Sequence, residues 1–379
     1  MTVTNGPPVP AALGSAVVLG TGLIGTSIAL ALREHGVQVW LSDRDQGAAR
    51  LAADLGAGEV LPANGAPRAD IAVLAVPPAA VASSLARAQA AGLARAYTDV
   101  ASVKVLPLEQ ARALGCDLSS FVAGHPMSGR ERSGPAAARA DLFLGRPWVL
   151  CPHETGDAAL AAATELVRCC RASLVQASAA EHDRWVALVS HAPHVVAAAM
   201  ATRLTGAPDT ALALAGQGLR DVTRVAAGDA GLWAGILAAN AAPVADVLAA
   251  AAADLAALAQ ALTEVAQAPD PGQAPSLKVV TALLEEGVAG VARIPGKHSK
   301  PRRDYAVVQV VIRDAPGELA RLFQAAGEAG VNIEDLGIEH SPGLPVGVAE
   351  LTVQPEDAAR LTEALAAAGW PVRAGTIAG

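Results

Sequence analysis

The sequence is poor in aromatic residues and in cysteine. Aromatic side chains make up 3% of the 379 residues, whereas apolar residues of all kinds make up 52%. An apolar composition carried mainly by Ala, Val and Leu favours helix-rich α/β packing. The four cysteines (Cys116, Cys151, Cys169 and Cys170) show no C-x-x-C spacing. A disulfide framework is therefore not expected, and a reducing cytoplasm fits the sequence.

Positive charge is scarce as well. The formal net charge is −8 and no basic stripe follows any predicted helix, so nucleic acid and anionic membranes are poor partners. Residues 1–10 contain no basic residue and no continuous apolar core, so we expect no signal peptide there. The longest uncharged run, residues 185–202, is short for a membrane span and contains two histidines. A buried helix is the better interpretation.

A dinucleotide-binding pattern stands near the start of the chain. At 379 residues the chain is too long for one core, so we expect two or three domains. A short apolar strand at residues 15–19 runs into G-T-G-L-I-G at 20–25, then a helical pattern, then a second strand at 37–42. This strand–turn–helix–strand context makes the glycine pattern far more specific than it would be alone.

Each glycine of this turn has an expected role. Gly20 makes the tight turn, Gly22 admits a pyrophosphate, and Gly25 lets the helix lie close to the strand. The unpaired N–H groups at the helix start, around Leu23 and Ile24, face the phosphates. The alternative is a glycine-rich turn that binds nothing.

The residues after the next strands predict which nucleotide binds. Asp43 follows the second strand, where a carboxylate accepts both ribose hydroxyls and repels a 2′-phosphate, so NAD is favoured over NADP. Arg44 beside it could instead pair with a phosphate, which keeps NADP as the alternative. A buried strand at 71–76 is stopped by prolines, so Val76 and Pro77 are expected beside the cofactor's ribose.

A polar loop at 124–134 follows an apolar run at 120–123. Because open α/β sheets bind ligands at the carboxyl ends of their strands, His125 is expected at that edge. The strand at 97–100 leads to Ser102 and Lys104, which are expected on the same edge. The alternative is a polar turn with an incidental surface histidine.

From residue 181 to about 292 the pattern is entirely helical. His191 and His194 are three residues apart and share a helix face. They could form a metal pair, but no third ligand stands at a suitable spacing, so no metal is expected. Asp221 and Arg224 are again three apart. They form either a surface ion pair or an arginine held to bind a substrate carboxylate in bidentate fashion.

A basic, proline-containing segment at 295–303 predicts a linker. Beyond it, the pattern alternates between strands and helices. The predicted elements are a strand at 306–312, a helix at 316–329, strands at 332–340 and 346–353, a helix at 355–368 and a strand at 371–374. This β-α-β-β-α-β order is ferredoxin-like.

With these motifs in their order, the chain resembles the prephenate dehydrogenase family of tyrosine biosynthesis, with a C-terminal ACT domain. The resemblance rests on residues 20–25, 99–104, the His125-Pro126-Met127 loop with Gly129, Glu131, Ser133 and Gly134, and the segments 189–194 and 220–224. It implies an α/β fold in three parts. These are a Rossmann-type parallel sheet domain (14–180), an all-α dimerisation domain (181–292) and a ferredoxin-like ACT α+β domain (303–379).

The resemblance implies NAD-dependent oxidative decarboxylation of prephenate to 4-hydroxyphenylpyruvate and CO2. His125 would take the proton of the ring hydroxyl, and Ser102 would orient His125 or the cofactor's carboxamide. Arg224 would bind the ring carboxylate and His194 the side-chain end, with Glu131 holding or gating the cations of the cleft. Further substrate contacts are expected from His191, Gln217, Asp221 and Trp233.

Three residues depart from the pattern usual in this family: Arg130, Ala192 and Gln217. They leave the reaction class intact but leave open whether prephenate or arogenate is preferred. Another open alternative is an amino-acid-sensing regulatory protein with a vestigial nucleotide domain. The resemblance also implies a homodimer.

The ACT resemblance implies an effector site, for which tyrosine is the expected ligand. Gly317 stands at the turn before the first helix of this domain, and Asn332 and Ile333 follow that helix. In such sites backbone groups of a glycine-bearing turn and a helix N-terminus hold the amino acid. The alternative is a purely structural appendage that widens the dimer interface.

Overall fold

The computed structural model describes residues 12–62, 68–129, 134–294, 305–340 and 345–373. The chain forms two compact units, and the boundary between them falls between Ala251 and Ala252.

The first unit is built on one eight-stranded sheet. Its strands are β1 (Ser15–Leu19), β2 (Gln38–Ser42), β3 (Glu59–Val60), β4 (Ala69–Leu74), β5 (Ala94–Asp99), β6 (Phe121–Pro126), β7 (Pro147–Cys151) and β8 (Ser173–Gln176). They lie in the order β3-β2-β1-β4-β5-β6-β7-β8. The first six therefore have the 3-2-1-4-5-6 order of a dinucleotide-binding sheet.

The expectation of a parallel sheet is wrong at one end. Strands β1 to β6 pair in parallel, but β7 is antiparallel to β6, and β8 is parallel to β7. Parallel neighbours need a long crossover, usually a helix. The described part of the β6–β7 connection has only a 3₁₀ turn at Pro135–Ala137 and no α-helix.

Both faces of the sheet are buried. Successive residues of a strand point to opposite faces, and Val17 and Val18 of β1 accordingly belong to two separate apolar clusters. The helices associated with this sheet are α1 (Leu23–Glu34), α2 (Gln46–Asp54), α3 (Pro78–Ala90), α4 (Val105–Ala113) and α5 (Asp157–Cys169). Local chemistry fixes their starts: Asp45 caps α2, and Pro78 occupies the first turn of α3.

A helical segment follows the sheet. It contains α6 (Ala179–Val186), α7 (Ala192–Thr202), α8 (Asp209–Leu212), α9 (Gln217–Thr223), α10 (Ala230–Ala239) and α11 (Ala241–Gln267), the last of which crosses the boundary between the units. Ser178 and Glu181 form a capping box at the start of α6. Ala187–His191 forms a π turn that joins α6 to α7. Such turns are frequent at functional sites.

The helix expected to be buried at 185–202 is buried on one face only. Val186, Ala187 and Ala192 are buried, whereas Leu188 and Val189 are 61% and 64% exposed. By length and composition alone, Ala179–Thr202 and Ala241–Gln267 are the two described helices that could cross a membrane. Exposed apolar faces on helices also occur where protein subunits meet.

The second unit contains α12 (Leu277–Ala292) and a four-stranded sheet with two helices. These elements are β9 (Ala306–Arg313), α13 (Glu318–Glu328), β10 (Asp335–His340), β11 (Val346–Val353), α14 (Pro355–Ala367) and β12 (Val372–Arg373). The strand order is β10-β11-β9-β12, and all neighbours are antiparallel. Alternate residues of β9, such as Val308 and Val310, enter one apolar cluster with Leu322 and Leu361 of the helices.

The turn between β1 and α1 requires glycine at two positions. Gly20 has a φ of +102°, and an added Cβ would lie 2.1 Å from the carbonyl oxygen of Ala75. A Cβ on Gly25 would lie 1.9 Å from the carbonyl oxygen of Gly20. At Gly22, by contrast, a Cβ would meet no atom within 4 Å. The roles expected of Gly20 and Gly25 therefore agree with the geometry.

We predict that Gly25→Ala destabilises the protein because its Cβ would overlap backbone. Overpacking of this kind typically costs about 1–3 kcal/mol of unfolding free energy. The matched control, Gly22→Ala, has space and should change that free energy by about 0.5 kcal/mol or less. Chemical denaturation without cofactor measures both; equal stabilities for the two variants would contradict this view of the turn.

Candidate functional site

A cavity of about 510 Å³ lies at the edge of the sheet where β1, β2 and β4 end. Its walls include the predicted cofactor residues Gly20, Asp43, Arg44, Val76 and Pro77. Because β1, β2 and β4 are parallel, their carboxyl ends meet at this edge, where such sheets bind nucleotides. The structure thus brings these five residues together around one space.

Three polar residues of α3 also line this cavity: Ser83, Ser84 and Arg87. The Arg87 guanidinium donates a hydrogen bond of 3.3 Å to Ser84 Oγ. Sequence reasoning missed this wall, because polar residues on a helix carry no spacing that distinguishes a ligand wall from a solvated face. Together with Arg44, Arg87 adds positive charge to the cavity.

Asp43 is held in place by the glycine turn. Its Oδ2 accepts hydrogen bonds from Thr21 N at 2.6 Å and Thr21 Oγ1 at 3.1 Å, and its Oδ1 accepts one from Asp45 N at 2.9 Å. Burial alone would raise the pKa of Asp43, but these hydrogen bonds outweigh it and hold the pKa below its ordinary value. The carboxylate is therefore ionised and fixed at the cavity wall.

The start of α1 has the features expected of an anion site. Gly22 precedes the helix and no side chain caps it. The first N–H groups of the helix, including those of Leu23 and Ile24, lack partners inside the helix. With open space at Gly22, this helix start fits a pyrophosphate.

His125 lies within β6 rather than in the loop after it. It pairs with Val149 of the antiparallel neighbour. The preceding Gly124 donates its N–H to Asp99 Oδ1 at 3.0 Å, and its carbonyl accepts from Lys104 Nζ at 2.6 Å. The strand thus ends three residues later than predicted, because pairing with β7 extends it to Pro126, and His125 lies at its carboxyl end.

A chain of hydrogen bonds holds the His125 ring. Nδ1 of His125 lies 2.8 Å from Nε2 of His182, and Nδ1 of His182 lies 2.7 Å from Oδ1 of Asp183. His182 is completely buried and Asp183 is 2% exposed. Sequence reasoning assigned no role to either residue, because they stand more than fifty residues from His125 and form no motif.

The environment keeps His125 neutral. Burial is the largest cause that lowers its pKa well below 6.5, followed by unfavourable electrostatic interactions with His182, Lys104 and His191. A histidine with such a pKa is unprotonated at neutral pH and can accept a proton.

Ser102 does not orient His125 through a direct hydrogen bond. The ring nitrogen that has a partner is bonded to His182 instead. Ser102 is partly exposed beside the buried Lys104. Lys104 forms a buried ion pair with Asp99.

His191 and His194 share a helix face but have different surroundings. His191 is buried, and its Nδ1 lies 3.1 Å from Nδ2 of Asn240, which also donates to the carbonyl of Asp183 at 2.8 Å. Because Asn240 Nδ2 is a donor, Nδ1 of His191 acts as the acceptor. Burial lowers the pKa of His191 to about 4. Sequence reasoning also missed Asn240.

His194 stacks on Trp233. The ring centroids are 3.6 Å apart and the planes differ by 12°. Burial lowers the pKa of His194. The structure therefore brings two predicted substrate residues into contact, and Trp233 also meets His191 edge-on at a centroid distance of 6.1 Å.

The predicted carboxylate clamp lies beside α7. Arg224 begins a 3₁₀ turn, Arg224–Ala227, that packs against this helix. Asp221 accepts a hydrogen bond of 2.8 Å from Gln217 Nε2. Arg224, Asp221 and Gln217 are all exposed.

Glu131 and Arg130, two of the residues singled out in the sequence, lie outside the described residues.

Across the described ranges, no set of three or more His, Cys, Asp or Glu side chains could hold a metal ion.

The expected effector residues lie in the second unit. Gly317 adopts a φ of +88° directly before α13. Asn332 donates to Glu334 at 2.7 Å, and Ile333 packs against the apolar cluster of this unit.

Known proteins resemble this chain along most of its length. The family model described as prephenate dehydrogenase, nucleotide-binding domain, matches residues 28–176, and that described as prephenate dehydrogenase, dimerization domain, matches residues 178–270. The probable prephenate dehydrogenase NovF of Streptomyces niveus is 42% identical over 361 residues, which cover 94% of this chain and 99% of the relative.

Two solved structures share the fold. Synechocystis arogenate dehydrogenase is 27% identical, with a TM-score of 0.58 over 73% of this chain and 99% of that chain. The prephenate dehydrogenase of Aquifex aeolicus, solved with hydroxyphenyl propionate and NAD+, is 24% identical, with a TM-score of 0.64 over 74% of this chain and 98% of that chain. On the family models and the full-length relative, the chain belongs to the prephenate dehydrogenase family.

Proposed function

We propose that this protein is an NAD-dependent prephenate dehydrogenase. It converts prephenate to 4-hydroxyphenylpyruvate, CO2 and NADH in tyrosine biosynthesis. The observation that carries the proposal is a partly buried, neutral histidine, His125, at the end of a strand in the sheet that also carries an intact nucleotide turn. A neutral histidine can take the proton of an alcohol, and a nucleotide bound at the turn can take the hydride from the same carbon.

His125 is the base in this proposal. Its Nε2 takes the proton of the C4 hydroxyl as hydride leaves C4, and loss of the ring carboxylate restores aromaticity. NAD, when bound, supplies the hydride acceptor. Ser102, whose bond to His125 the structure does not contain, is left to orient the cofactor carboxamide. A neutral imidazole suits this step because it accepts a proton without first losing one.

The cofactor residues follow from the cavity and the helix start. Gly22, with the N–H groups of Leu23 and Ile24, receives the pyrophosphate, while Gly20 forms the turn and Gly25 lets the helix lie close to the strand. Asp43 binds the ribose, next to Arg44, Val76 and Pro77. The ionised carboxylate of Asp43 repels a 2′-phosphate, which supports NAD rather than NADP.

The substrate is a dianion, whereas the protein has a net charge of −8, so its cations must be local. Arg224 binds the ring carboxylate and His194, braced by Trp233, binds the side-chain end. His191, Gln217 and Asp221 complete this wall. Glu131, expected to hold or gate the cations, remains a prediction.

Arogenate is the second candidate substrate. It carries an amino acid side chain where prephenate carries a keto acid, and the Synechocystis relative is an arogenate dehydrogenase. The chemistry at C4 is the same for both compounds, so His125 would serve either reaction.

The protein also acts as a cytoplasmic homodimer in this proposal. The matched dimerization model covers α6 to α11, and this segment exposes large apolar side chains, among them Leu188, Val189 and Leu255. A second copy that covers them would remove apolar area from water.

We further propose three functional parts, at 14–180, 181–292 and 303–379, with the last an ACT domain that binds tyrosine. Its support is the β-α-β-β-α-β order and the left-handed Gly317 at a helix start. Asn332 and Ile333 would complete the site.

The function is tested with NAD and prephenate, and then with arogenate, by the absorbance of NADH. We expect turnover with prephenate, and a kcat about 10²–10⁴-fold lower in His125→Asn because the base is lost. NAD affinity should be retained. His153→Asn, at an exposed histidine, is the control and should keep wild-type kcat. A protein that reduces NAD with neither substrate would refute the proposal.

Regulation is tested by inhibition with tyrosine. A chain that ends near Pro295 should lose sensitivity, and so should Gly317→Val, because valine is strained at a φ of +88°. We expect the half-inhibitory tyrosine concentration to rise about 5–150-fold. Gly327→Ala within α13, where a Cβ has space, is the control. A shortened chain that remains equally sensitive would instead indicate competition in the active site.

A further inference from the structure

We propose that His182 and Asp183 are positioning residues that fix the tautomer and the orientation of His125. The inference rests on the proposed function, in which His125 is the base. Its basis is the continuous chain from His125 Nδ1 to His182 Nε2 at 2.8 Å and from His182 Nδ1 to Asp183 Oδ1 at 2.7 Å. The two rings meet edge to face, with centroids 5.1 Å apart.

The Asp183 carboxylate determines which nitrogens of the two histidine rings carry protons. A carboxylate oxygen only accepts, so His182 must carry its proton on Nδ1, and in the neutral ring Nε2 is then an acceptor. His125 must therefore donate its Nδ1–H to His182, which leaves the lone pair on Nε2 of His125. This is the tautomer that a base needs.

Asp183 is itself held firmly at the start of α4. Besides the bond from His182, its carboxylate accepts from the backbone N–H groups of Lys104 and Val105, each at 2.8 Å. Negative charge is favoured at a helix N-terminus, so the carboxylate is stabilised as an acceptor. The orientation of His125 is thereby tied to the backbone of a helix that follows β5.

The chain also stabilises the product of proton transfer. The hydroxyl O–H bond breaks, the proton binds Nε2 of His125, and the Nδ1–H remains in place. The ring then carries a positive charge that burial and Lys104 oppose. The Asp183 carboxylate, acting through His182, offsets part of that cost, as the aspartate does in a serine-protease triad.

Two variants of His182 distinguish its hydrogen bond to His125 from its role in filling space. Leucine fills the space but cannot accept a hydrogen bond, whereas glutamine can place its amide oxygen near the position of Nε2. We expect His182→Leu to lower kcat about 10–100-fold, the range seen when a partner that orients a metal-bound histidine is removed. His182→Gln should recover much of this loss. In both variants the Kd for NAD should stay unchanged.

The tautomer can be observed without turnover. Protein labelled with ¹⁵N-histidine, with His125 assigned by the His125→Asn spectrum, reports which ring nitrogen carries the proton. We expect Nδ1 protonated and Nε2 unprotonated in the wild type, and a mixture of tautomers in His182→Leu. If His182→Leu does not fold, the spectrum of the wild type alone still tests the predicted tautomer of His125.

Each outcome supports or overturns the proposal. An Nε2-protonated His125, or equal losses of kcat in the leucine and glutamine variants, would overturn it. A fully active His182→Leu would also overturn it while leaving the dehydrogenase function intact. A wild type without activity on prephenate or arogenate, but with the expected tautomer, would instead refute the proposed function and leave the positioning role standing.

Discussion

The buried ion pair between Lys104 and Asp99 is the interaction on which the site depends. Both side chains are completely excluded from solvent. Asp99 also accepts from the backbone of Ala101 and Gly124, and Lys104 donates to the Gly124 carbonyl. One pair thus fastens the end of β5 to β6 next to His125. Removal of either partner would leave an unpaired buried charge, at a cost of about 3–5 kcal/mol.

The same pair links structure to chemistry. The Lys104 backbone N–H meets Asp183, which supports the His182–His125 chain, while the Lys104 ammonium lowers the pKa of His125. Burial and the positive charge of Lys104 keep the His125 imidazole neutral. The Asp183 carboxylate, acting through His182, keeps the lone pair on Nε2 of His125. The base of the proposed reaction must be unprotonated before the proton transfer, and its protonated form must be stabilised afterwards. This arrangement serves both requirements.

Elements defined by local signals could be predicted from the sequence. The strand at 15–19, its glycine turn and the β-α-β-β-α-β order of the C-terminal part follow from apolar period and from turn residues. The direction of β7 could not be predicted, because pairing direction depends on the connection rather than on the strand itself. His182, Asp183 and Asn240 were also missed as site residues. Apart from the bond between the neighbours His182 and Asp183, their side-chain contacts join residues 49 to 79 positions apart and leave no spacing pattern.

Burial keeps His125 neutral, as the proposed function requires of its base. The pH dependence of kcat/KM for prephenate, at saturating NAD, tests it most directly because it reports the pKa of the free enzyme's base. Since the pKa of His125 lies well below 6.5, activity should hold as pH falls through 6.5 and decline only at lower pH. An acid limb with its midpoint at 6.5 or above would contradict the account.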